Sequence, residues 1–215
     1  MDDTRKFFDL LFDPTEVIGF CCLKTKWGTV TGFYDGENRE RLIDAISQFD
    51  GIADCYTNAN RLNPDVLGRY NNRFQRYDKF RWSDADIIRR SRFFVDLDPV
   101  RLSGINSTDD ELRHAFDLAH EVRPYLAHEC GLQPVQVCSG NGVQLVAKID
   151  EPVDSDKPSK LIKHLANKFT NRYVKVDTSV TDPARLMRLP GTMNLKGDHL
   201  PHRPRRRAYL MEVGQ

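Results

Sequence analysis

The chain has 215 residues, 40% hydrophobic and 29% charged, with a net charge of +1. That composition belongs to a folded globular protein of one domain or two small lobes and excludes a disordered chain. The balanced charge announces no nucleic-acid binder, so any such role must rest on local patches. No apolar run approaches the length of a membrane span. The amino-terminal stretch MDDTRKFFDLLFDP carries acids where a signal peptide carries bases. A cytoplasmic protein without membrane contact is expected. Cys21, Cys22, Cys55, Cys130 and Cys138 form no C-x-x-C pair and no Cys/His set at zinc spacing, so reduced thiols and no zinc are expected.

In chain order, EVIGFCCLKT and GTVTGFYDG read as two strands, punctuated by Gly28 and the Asp35-Gly36 turn. NRERLIDAISQFDG reads as a helix ending at Gly51, and IADCYTNANRL as a strand running into a loop. In GRYNNRFQRYDKFRW, Arg69, Arg73 and Arg76 fall at helical spacing, as do Tyr70, Phe74 and Tyr77. This predicts an amphipathic helix whose basic stripe either faces water or tracks a phosphate backbone beside base-stacking rings. FFVDLDP predicts a short buried strand. NSTDDELRHAFDLAHEVRPYLAHECG predicts a helix with a Thr108/Glu111 capping box, an apolar stripe of Leu112, Ala115, Phe116, Ala119, Val122 and Leu126, a stop at Gly131, and a kink or break at Pro124. VQVCSGNGVQLVAKI predicts a hairpin around Ser139-Gly140-Asn141-Gly142. DKPSKLIKHLANKFTNRY predicts a helix burying Leu161, Ile162, Leu165 and Phe169. VKVDTSV predicts a short strand carrying Asp177, and the basic tail KGDHLPHRPRRRAYLMEV ends in a strand. The order of elements predicts a mixed α/β (α+β) protein with helices packed on a sheet.

Asp96 and Asp98 are two apart on a strand and so share one face. Like charges held together repel and need a cationic partner. Carboxylates suit a hard divalent ion such as Mg2+ or Mn2+, although an Asp-Pro strand exit is also ordinary turn chemistry. Asp177 ends a second strand and is either a third ligand or a turn acid. The Ser139–Gly142 stretch is either a plain hairpin turn or a loop whose amides approach a phosphate. Arg185, Arg188 and Lys196 are either surface charges or a set that neutralises a triphosphate. The acid pair, glycine loop, third acid and cation cluster, taken in that order, favour the functional alternative for each.

The segments FFVDLDP, CSGNGVQL, VDTSVTDPARLMRLPGTMNLKG and PHR, preceded by YTNANRLNPDVLGR, resemble the primase-polymerase modules of the archaeo-eukaryotic primase superfamily found in phage, plasmid and integrated-element replication proteins. The resemblance spans residues 50–205. It implies a catalytic sheet related to the RNA-recognition motif (residues 91–215) packed on an amino-terminal α/β lobe (residues 1–90). It also implies templated nucleotidyl transfer by two Mg2+ or Mn2+ ions on Asp96, Asp98 and Asp177. Ser139, Gly140, Asn141, Gly142 and Gln144 would seat the phosphates of a nucleoside triphosphate, with Arg185, Arg188 and Lys196. Arg69, Arg73, Arg76, Arg205 and Arg206 are the candidate contacts to a single-stranded DNA template, and a replicative helicase is the implied partner; the roles of His202 and Arg203 are less defined.

One position departs from the pattern. The glycine loop usually continues to a histidine where this chain has Gln144, which can donate a hydrogen bond but cannot carry charge. The departure motivates a second reading: a catalytically degenerate domain that grips single-stranded DNA or an origin for a helicase. A third reading is another D-x-D metal enzyme, a nuclease or sugar transferase. The absence of a general-base histidine near the acids weighs against the nuclease.

Overall fold

The computed structural model describes residues 1–78 and 81–211. Among them, α1 (Asp2–Leu11), β1 (Ile18–Thr25), β2 (Gly28–Tyr34), α2 (Arg39–Ser47), β3 (Asp54–Asn58), β4 (Arg61–Leu62), β5 (Arg73–Asp78) and β6 (Ile87–Pro99) form the first part of the chain. They are followed by α3 (Asp109–Glu129), β7 (Val135–Cys138), β8 (Val143–Glu151), α4 (Lys157–Phe169), β9 (Val174–Val176), β10 (Leu186–Arg188) and β11 (Tyr209–Met211). The strands form two antiparallel sheets, ordered β10-β3-β1-β2-β5 and β11-β7-β8-β6-β4, with β9 added to β6. Two strands cross between the halves of the chain: β4 joins the second sheet and β10 the first. One apolar cluster, including Phe20, Phe49, Val95, Leu97, Leu126 and Leu145, runs through both. No helix among the described residues is long and apolar enough to cross a membrane.

β6 is the axis of the second sheet. β8 lines one of its edges from Arg90 to Leu97, while β4 and β9 take the two ends of the other. Its apolar centre, Phe93, Phe94, Val95 and Leu97, is buried as expected from a strand covered on both faces, but the strand is thirteen residues long and starts in a polar run the sequence pattern does not mark. That run contains Arg92, whose guanidinium is fully buried. It pairs with Glu16, donates to the carbonyls of Leu11 (3.2 Å) and Ala59 (3.1 Å), and lies 3.6 Å from the Phe12 ring centre. Arg92 thus ties β6 to the end of α1 and to the β3–β4 link.

Helix α1 is absent from the sequence reading. Its buried residues Thr4, Phe7, Phe8 and Leu11 recur at three and four, as one helical face requires, and Asp2 and Asp3 complement the dipole of its first turn. Helix α3 carries the expected capping box and buries the expected stripe, with Phe116 only partly covered and Leu118 added. It runs without a break through Pro124. The missing donor costs one intrahelical bond, and burial of Ala119, Val122 and Leu126 on either side holds the helix together.

The basic helix predicted over residues 68–82 does not form. A short 3-10 turn, Pro64–Gly68, is followed by β5 on the edge of the first sheet. Asn72 stops any helix there: its φ is 52°, and its side chain both accepts from the Asp35 amide (2.9 Å) and donates to the Asp35 carboxylate (2.8 Å). Pairing of Phe74 and Gln75 with β2 then outweighs the helical spacing. Lys79 and Phe80 of that stretch, and Glu212 and Val213 of the predicted last strand, lie outside the described residues.

Removing one partner of a buried ion pair strands the other charge, at about 3–5 kcal/mol. Glu16→Ala is therefore expected to lower unfolding free energy by about that much, read from the urea midpoint at unchanged slope.

Candidate active site

The carboxyl end of β6 lies between β9 and β8. Asp96 is opposite Gln144 of β8, and the amide of Asp177 donates to the Asp96 carbonyl at 2.9 Å, continuing the pairing of Leu97 with Val176. Directly opposed residues share a face, so Asp177, Asp96 and Gln144 form one row across three strands. Asp98, two residues along, joins the same face opposite Lys175. Leu97, Val143 and Val176 point the other way into the core. The alternation that buries these three is what places the polar row outside.

The charges in the row are unequally matched. Asp98 pairs with Arg101 at 2.8 Å, and Asp177 lies 3.7 Å from Arg185, which also reaches Asp182 at 3.4 Å. Among the described residues Asp96 has no ion-pair partner. Burial, and then the charges of Asp98 and Asp177, push its carboxyl up to about 7, with Arg185 and Lys196 pulling the other way. Among the described residues, no group of three or more His, Cys, Asp or Glu side chains is gathered closely enough to hold a metal ion by itself.

Two cavities flank the row. The larger, about 570 Å³, is lined on the Asp96 side by Tyr56, Arg81, Gln144, Arg185 and Arg188, among others. Gln144 is buried, and among the described residues its side-chain amide has no hydrogen-bond partner. Arg188 is committed: it pairs with Asp54 (2.8 Å), donates to the Tyr56 hydroxyl (2.8 Å) and lies 4.5 Å from the Tyr56 ring centre. Lys196 lines the smaller cavity, on the Asp98 side.

The glycine loop is buried and largely closed on itself. The Ser139 amide donates to the Gly142 carbonyl, the Gly142 amide donates to the Ser139 hydroxyl, and Asn141 is held by Ser107 and Asn106. Gly140 has a φ of 89°, and a Cβ there would lie 2.9 Å from the Arg206 carbonyl oxygen. A Cβ on Gly142 would meet the Leu97 carbonyl oxygen at 2.5 Å. The glycines thus let the hairpin pack against β6 and the carboxyl-terminal segment, leaving the amides of Ser139 and Gly142 already engaged.

The five arginines singled out for a template do not form one stripe. Arg69 makes a two-pronged pair with Asp86. Arg73 and Arg76, three apart on a strand, face opposite sides and lie over the rings of Tyr70 and Trp27 respectively. Arg205 donates to the Gly197 carbonyl, and Arg206 to the Ser107 carbonyl and to Asp109. Sequence reasoning missed Arg101 and Lys175 beside Asp98. Arg101 had a signal in its place three residues after the acid; Lys175 depends on the β6–β9 register, which no local pattern specifies.

No family model matches the sequence, and a comparison with curated proteins finds no match. Among solved structures, the chain is similar to the polymerase domain of Mycobacterium tuberculosis ligase D in complex with DNA, with a TM-score of 0.51 at 18% identity over 95% of this chain and 78% of that one. The protein therefore has a mixed α/β fold of two antiparallel sheets related to the fold of that polymerase domain.

Asp96 supplies a test by pH. Its raised carboxyl keeps a proton in the folded state that an unfolded aspartate releases near pH 4. The stability tied to that proton is complete below about pH 4 and is lost as pH rises toward 7, at up to about 1.4 kcal/mol per unit. In EDTA, Asp96→Asn is expected to flatten this part of the pH–stability curve and to be more stable than the parent at pH 8, by chemical denaturation at each pH.

Proposed function

We propose that the protein is a primase-polymerase that adds nucleotides to a growing strand on a single-stranded DNA template. The observation that carries this reading is the cross-strand row of Asp177, Asp96 and Gln144, with Asp98 beside it, at the mouth of a cavity lined by Arg185 and Arg188. The polymerase-type fold supports it. In this reading both sheets work as one catalytic unit, since β10 delivers Arg188 from the first sheet to the cavity beside β6 in the second.

The donors fit magnesium or manganese. All are carboxylate oxygens, and Asp96 is crowded by two like charges without a cation of its own. Magnesium binds through one or two carboxylates and completes its shell with water and substrate phosphate, so the lack of a closed protein cage suits it. Asp96, Asp98 and Asp177 would hold such ions, which when bound neutralise charge on the transferring phosphoryl group. Arg185 would bind the phosphates, and Gln144 would donate its free amide to them. Arg188, locked by Asp54 and Tyr56, would orient the cavity wall. Positioning and charge neutralisation are the main demands of this chemistry.

Incorporation of labelled nucleotides on single-stranded DNA, primed and unprimed, in Mg2+ and in Mn2+, tests the reading. Asp96→Asn and Asp98→Asn are each expected to reduce incorporation at least ~100-fold, the scale of losing one transition-state charge contact, with unchanged circular dichroism. Gln144→His is expected to lower KM for the nucleotide severalfold, since a charged contact is about twice as strong as a neutral one. Undiminished synthesis by Asp96→Asn contradicts the assignment. Strand binding without synthesis in any arm favours the degenerate binding module that Gln144 motivates.

A further inference from the structure

The cavity on the Asp98 side has no role in that reading beyond Lys196. It holds about 180 Å³ and is lined by Arg101, Lys175 and Lys196 together with Asp98. Three cations thus meet one carboxylate, and Arg101 already matches that carboxylate. Lys175 and Lys196 are exposed and, among the described residues, make no ion pair. Arg101 is fixed, with only 4% of its side chain exposed. Its Nε donates to the Ile105 carbonyl, and its Nη1 donates to Asp98 and to the Pro99 carbonyl. Among the described residues its Nη2 has no hydrogen-bond partner. The volume falls below the ~300–1,000 Å³ of pockets that enclose whole small molecules. Size and charge both suit a small polyanion.

The two cavities lie on opposite sides of the acid row, with Asp96 lining one and Asp98 the other. In phosphoryl transfer the attacking and leaving oxygens lie roughly in line, so the leaving group departs away from the nucleophile. The geometry points to the Arg101–Lys175–Lys196 cavity as a diphosphate site that receives the leaving group, an assignment that rests on the nucleotidyl-transfer reading. In that step the 3′-oxygen bonds to the α-phosphorus and its proton passes to solvent. The bond from the α-phosphorus to the bridging oxygen breaks, and its electron pair leaves with the diphosphate. Register does the placing: β9 pairs Lys175 with Asp98, and Arg101 follows β6 by two residues.

Calorimetric titration of the full chain with inorganic diphosphate in EDTA tests the site without calling on activity. Saturable binding is expected, weakened about tenfold by Lys175→Gln and by Lys196→Gln, the scale of one charge-assisted hydrogen bond. Both lysines are exposed, so both variants are expected to keep the parent circular dichroism and Tm. Arg185→Gln, in the other cavity, is expected to change affinity less than twofold. The assignment is overturned by absence of saturable binding to the folded parent, by binding insensitive to both lysine variants, or by equal loss in Arg185→Gln. Diphosphate binding by a chain that incorporates no nucleotide supports the site and overturns the functional reading. Incorporation without diphosphate binding overturns the site alone.

Discussion

The hydrogen bond from the Asp177 amide to the Asp96 carbonyl sets the chemistry of this molecule. It fixes β9 in register against the end of β6, and a shift of one residue would turn every side chain of β9 to the other face. Val174 and Val176 are buried, so that register is held by the core rather than by the acids themselves. The apolar face determines which residues meet on the polar one. Asp177 reaches Asp96, and Lys175 reaches Asp98, because Val176 has to stay inside opposite Leu97.

The arrangement works against the stability of the bare protein. A partly buried carboxylate between two others is costly unless it holds a proton or meets a cation, and Asp96 is in that position. The buried Arg92–Glu16 pair and the Arg188–Asp54 pair lie around it. They join α1, β3, β6 and β10 through side chains that are costly to bury singly but stable together. The frame is therefore rigid where the charge is concentrated, which is what electrostatic stabilisation of a transferring phosphoryl group requires.

Much of this was legible in the sequence because local physics and final structure agree there. The hairpin at Ser139–Gly142, the capped helix α3 and the sharing of one face by Asp96 and Asp98 follow from periods of two and 3.6 and from turn chemistry. What failed did so where tertiary pairing overrode local period. The stretch around Arg73 has helical spacing, yet Asn72 locked to Asp35 ends any helix, and the edge of β2 recruits the chain as a strand. Arg188 is recognisable as a cation in the right segment, but its ties to Asp54 and Tyr56 come from β3, more than 100 residues earlier in the chain. The glycine loop is found at the predicted place, while the engagement of its amides depends on Ser139, Ser107 and the carboxyl-terminal segment together.

The central claim is that Asp96, Asp98 and Asp177 act together as one ligand set for divalent ions. The most direct measurement is Mn2+ binding by the decline of the free-ion electron paramagnetic resonance signal, with and without a nucleoside triphosphate, in the parent and in Asp96→Asn, Asp98→Asn and Asp177→Asn. The account predicts saturable Mn2+ binding that tightens with nucleotide and that each substitution weakens by at least about tenfold. Parent-like binding in all three variants would contradict it.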